Sequence, residues 1–67
     1  MLRLRQVREE RKMSLVGLTQ LTGISPSDIS EIERGRRPAF PGWRARISRA
    51  LGVPQDELFA EVDDDRR

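Results

Sequence analysis

Residues 14–35 read SLVGLTQLTGISPSDISEIERG and hold two helix starts and two helix stops within one short stretch. Ser14 is an N-cap, because a serine hydroxyl accepts from the free amides of a first helical turn. The spacing puts Leu15, Leu18 and Leu21 on the apolar side of the helix that follows. Gly23 stops that helix, since glycine enters the left-handed conformation of a helix end at little steric cost. Ser25 then caps a second helix, Pro26 suits its first position, and Asp28 stands where the acid of a capping box belongs. Ile29 and Ile32 give this helix one buried edge, and Gly35 ends it. The stretch is two short amphipathic helices joined by a tight glycine turn.

Outward from it, the pattern predicts three more helices and no strand. The first covers about residues 2–12, burying Leu4 and Val7 and leaving Arg3, Arg5, Arg11 and Lys12 in water. The second and third cover about 14–22 and 26–34. A loop follows, stiffened by Pro38 and Pro41. The fourth helix runs over 41–51, with Trp43, Ile47, Ala50 and Leu51 as one inward stripe, and Gly52 terminates it. Val53-Pro54 opens a fifth, with Asp56 and Glu57 at its positive end and Leu58 and Phe59 returning to the core. Trp43 and Met13 are read as core side chains on this spacing. The fold class is all-α, a five-helix bundle.

A chain of 67 residues holds one small domain. It has no cysteine and no histidine, so thiol chemistry and the commonest general base and metal ligand are missing. Its five serines have no imidazole to activate them, and no enzyme activity, cofactor or metal is expected. No apolar run reaches the roughly 18 residues of a membrane span, and no signal-peptide pattern is present, which predicts a cytoplasmic protein. No residue grouping suggests a small-molecule ligand.

The net charge of +2 conceals an asymmetry. Residues 1–49 hold eleven basic and five acidic side chains, whereas residues 50–67 hold two basic and six acidic ones. Between 34 and 49 there are six arginines and no acid. A solvated helix face is the plain reading of such a run. The composition, with twelve arginines against one lysine, favours a surface for phosphates, which guanidinium forks match in geometry.

The helix–glycine turn–helix pattern is that of the helix-turn-helix motif, whose second helix enters a DNA major groove. Gly23-Ile24-Ser25, then Ile29-Ser30-Glu31-Ile32-Glu33-Arg34-Gly35, Arg37-Pro38 and Leu51-Gly52-Val53 resemble the Cro and phage-repressor (XRE-like) class of regulators from Leu4 to Phe59. The resemblance implies a bundle of the lambda-repressor-like type over residues 1–61, with 62–67 as a charged, frayed tail. It implies sequence-specific binding of double-stranded DNA by a transcriptional regulator, as a homodimer touching through Leu58, Phe59 or Val62. It also implies a structural ion pair between Arg8 and Glu33.

By the same resemblance, bases are met by Ser25, Pro26, Ser27, Ser30 and Glu31. Glu31 stands where a glutamine or a basic residue is more usual; a carboxylate can accept from a cytosine amine but is repelled by phosphates. Phosphates are assigned to Ser14, Arg34, Arg36, Arg37 and Arg44, while Leu15 replaces a glutamine that bonds a phosphate in many relatives. About four charge contacts per protomer predict a log affinity falling by roughly 3.6 per log unit of salt. The recognition segment carries three acids against Arg34, so a second reading stays open: a protein-interaction module, antitoxin-like or an accessory subunit, on the same fold.

Overall fold

The computed structural model describes residues 1–62, and these form five helices with no strand among them. In order they are α1 (Arg3–Glu10), α2 (Leu15–Thr22), α3 (Pro26–Glu33), α4 (Pro41–Leu51) and α5 (Gln55–Leu58). The last four charged positions before the chain end, and Asp63 before them, lie outside the described residues, so the expected tail is represented only by Val62. Its amide donates to the Met1 carbonyl at 2.9 Å.

Both caps of the central stretch form as the residue types dictate. Ser14 Oγ accepts from the Gly17 amide at 2.9 Å and Ser25 Oγ from the Asp28 amide at 3.1 Å. Gly23 ends α2 at φ 76°. At the end of α3 the Gly35 amide donates to Ile32 O (3.0 Å) and the Arg36 amide to Glu31 O (2.9 Å). That paired closure requires a left-handed residue, and Gly35 supplies it at φ 77°.

α1 is shorter than expected. It closes by the same bond pair, Lys12 N–H to Glu9 O and Met13 N–H to Arg8 O, and Lys12 takes the left-handed place at φ 55°. A lysine there carries no sequence signal for a helix stop, because its side chain makes that conformation costly rather than preferred. α5 is a single turn.

The core is made of Leu4, Val7, Leu18, Ile24, Ile29, Ile32, Ile47, Leu51 and Leu58. Trp43 and Met13 pack against it half-buried, and Trp43 meets Phe40 edge-on at 5.0 Å between ring centroids. Two expectations fail here. Leu21 is 58% exposed, because the inward line of α2 runs through Leu18 and Thr22. Thr22 can be buried since its hydroxyl donates to Leu18 O and accepts from the Ile24 amide. Leu58 has no exposed surface, so it cannot serve as a contact between protomers.

Candidate nucleic-acid interface

α3 is anchored from α1 at two points that converge on Glu33. Arg8 donates from Nε to Glu33 Oε2 at 2.8 Å and from Nη2 to Oε1 at 3.1 Å, a bidentate fork. Its third arm, Nη1, reaches the Met13 carbonyl at 2.8 Å and braces the turn that follows α1. The Leu2 amide meanwhile donates to the Glu33 backbone carbonyl at 2.9 Å. Arg8 and Glu33 are both buried. The Glu33 carboxylate, as acceptor and as neighbouring charge, raises the Arg8 pKa above its ordinary value against the opposite pull of burial. A raised folded-state pKa stabilises at every pH below the ordinary arginine range, so this cation contributes no pH dependence across the neutral region.

With Ile29, Ile32 and Glu33 turned inward, the opposite side of α3 faces solvent. Pro26, Ser27, Ser30 and Glu31 come together there around a shallow depression whose remaining wall is Leu15 of α2. Leu15 and Ser30 also line the neighbouring cleft with Arg5 and Arg34, so the trough continues along α3 to its C-terminal end. Ser25 is exposed at the start of the helix, where its hydroxyl is engaged by the cap. Ser14 is exposed at the start of α2, its hydroxyl oxygen accepting from the Gly17 amide. What Ser14 offers a phosphate is therefore the positive end of α2 together with its O–H, which that bond leaves free to donate.

The arginines differ in how free they are. Arg34 caps the end of α3 and Arg36 follows Gly35; both are exposed, and neither has an ion-pair partner among the described residues. Arg37 folds back along the helix, its Nε 3.5 Å from Asp28 Oδ1. Arg44 is half-buried, its guanidinium 4.5 Å over the Phe59 ring. The Asp28 carboxylate thus goes to the loop after α3 instead of back to its own cap. Arg46 and Arg49 lie on the outer side of α4, exposed, away from the buried Ile47 and Leu51.

These contacts alter the charge that α3 presents. Glu33 is cancelled by Arg8, and Asp28 is faced by Arg37. Of the three carboxylates that α3 carries, Glu31 alone is left unpaired among the described residues. Spacing rules had no means of pairing Asp28 with Arg37, because the loop must double back for them to meet. Leu15, read from its spacing as apolar and by resemblance as standing where relatives bond a phosphate, packs against the core and also walls the depression.

Known sequences place the domain. It is 41% identical over 64 residues to the HTH-type transcriptional regulator RamB of Mycobacterium tuberculosis, a match covering 96% of this chain and 13% of that protein. It is 37% identical over 57 residues to the HTH-type transcriptional repressor RghR of Bacillus subtilis, covering 84% of this chain and 42% of that one. The chain thus spans less than half the length of either relative. No solved structure matches it. The pattern of the helix-turn-helix domain covers residues 2–60, nearly everything that the fold describes. With α2 and α3 set around Gly23 as that motif requires, the chain belongs to the helix-turn-helix domain family.

Proposed function

We propose that this chain is the sequence-specific DNA-binding module of a transcriptional regulator. It lays α3 in the major groove and grips flanking phosphates with Arg34 and Arg36, and with Arg37 and Arg44 once their present contacts are exchanged. The observation that carries this reading is the pair of exposed arginines, Arg34 and Arg36, unpaired among the described residues, at the end of an α3 whose buried Glu33 is cancelled by Arg8. The names of the two relatives support the regulatory role. A homodimer that sets two copies of α3 about 34 Å apart would address successive major grooves of one face. Such a module works in the cytoplasm, where a bacterial chromosome lies.

The test is fluorescence anisotropy with a random-sequence duplex between 50 and 200 mM salt. Two free arginines predict a log–log slope near −1.8 per protomer, and engagement of Arg37 and Arg44 steepens it to about −3.6. Absence of salt-dependent binding at about 50 mM contradicts the reading.

A further inference from the structure

The depression between α2 and α3 is bordered by one charged group, which the fold leaves unpaired. Among the described residues the Glu31 carboxylate has no hydrogen-bond or ion-pair partner, whereas Asp28 and Glu33 on the same helix each have an arginine. At a surface that meets phosphates, a lone carboxylate weakens binding unless a donor satisfies it. The major groove presents two such donors, the exocyclic amines of cytosine and adenine. Adenine sets its N7 acceptor beside the amine, which repels a second acceptor. Cytosine sets an apolar C5 edge there instead. The structure supplies the matching surface, because Leu15 and Pro26 wall the depression that Glu31 borders.

We propose that this depression is a cytosine-reading site. Glu31 accepts from the N4 amine and the Leu15–Pro26 wall packs against C5. The inference rests on the DNA-binding reading above and deepens it by naming the base. Thymine is rejected despite its methyl group, since its O4 acceptor meets the carboxylate. 5-Methylcytosine is accepted, because its methyl group adds contact with the wall and its amine is unchanged. Leu15 thereby has a role at the bases where a polar residue would serve only a phosphate.

The experiment selects sites from a randomised duplex pool with the chain and with its Glu31→Gln variant. Affinities are then compared on the best duplex carrying cytosine, 5-methylcytosine or thymine at the selected position, with the partner base matched. The chain is expected to enrich a cytosine that Glu31→Gln does not enrich, and thymine there is expected to weaken binding by about five- to a hundred-fold. 5-Methylcytosine is expected to bind at least as tightly as cytosine, and Leu15→Gln to remove any gain. The same base profile for chain and variant overturns the proposal, as does thymine at no loss. Weaker binding of 5-methylcytosine overturns the part given to the apolar wall. Glu31→Gln is expected to melt as the parent does, and Leu15→Gln, which alters a side chain packed against the core, is assayed below its own melting transition, so a changed profile reports recognition and not folding. If the parent shows no salt-dependent affinity for any duplex, the DNA-binding reading itself falls, a result distinct from binding without base preference.

Discussion

The inner and outer sides of α3 treat the same chemical group in opposite ways. On the inner side Glu33 is buried, doubly hydrogen-bonded to Arg8 and held again through its backbone by Leu2. On the outer side Glu31, two residues earlier, borders an open depression with no partner among the described residues. Asp28 lies between these extremes, partly exposed and met by Arg37 at 3.5 Å. A carboxylate buried with a cation is a device for fixing geometry, since losing either partner strands the other. A carboxylate left open is a device for choosing what may approach.

The largest expected effect comes from breaking the inner side. Arg8→Ala leaves the Glu33 carboxylate buried without its cation and is expected to cost about 3–5 kcal/mol. A domain of this size has about 3–10 kcal/mol in total, so thermal unfolding followed by circular dichroism should show the transition drastically lowered or lost. Glu31→Gln should change stability by less than about 0.5 kcal/mol in the same experiment. Equal losses for the two variants would erase the distinction between the sides.

Next come the free arginines beside the outer side. Arg34→Ala and Arg36→Ala should each flatten the salt dependence of duplex binding by about 0.9 log units, uniformly across sequences. Asp28→Asn acts in the other direction, releasing Arg37 toward the phosphates. The slope should steepen by as much as about 0.9, with affinity rising most at low salt. The exposed Arg37–Asp28 pair should leave stability within about 1 kcal/mol of the parent.

The smallest effect lies at the end of α1. Lys12 holds a left-handed conformation that glycine adopts freely, so Lys12→Gly should stabilise by about 0.5–1 kcal/mol. For a domain this small, that corresponds to a rise in Tm of about 2–8 °C. A lowered Tm would mean that the lysine side chain contributes something its exposure does not suggest.

The fold was legible where residue type alone dictates local geometry. Ser14, Gly23, Ser25, Pro26 and Gly35 bound α2 and α3 at the places their chemistry requires. It was less legible where tertiary packing overrides pattern. Leu21 has the spacing of a core residue but lies outside, because Thr22 satisfies its hydroxyl on the backbone and takes the inner place. The end of α1 has no glycine to announce it, only a lysine forced into a glycine's role. For the candidate site, Pro26, Ser27, Ser30 and Glu31 followed from the resemblance, and the structure gathers them around one depression. The pairing of Asp28 with Arg37 and the contribution of Leu15 depend on the path of a loop and the approach of two helices. Neither is encoded in local spacing.

The most direct measurement is an amide chemical-shift map of the isotopically labelled chain titrated with a short duplex. Binding through α3 predicts the largest changes at Ser14, Ser25, Ser27, Ser30 and Glu31, and from Arg34 to Arg36. The amides of Arg46 and Arg49, on the outer side of α4, should remain still. Changes confined to the outer side of α4, around Arg46 and Arg49, with α3 unmoved, would contradict the assignment of α3 as the element that meets DNA.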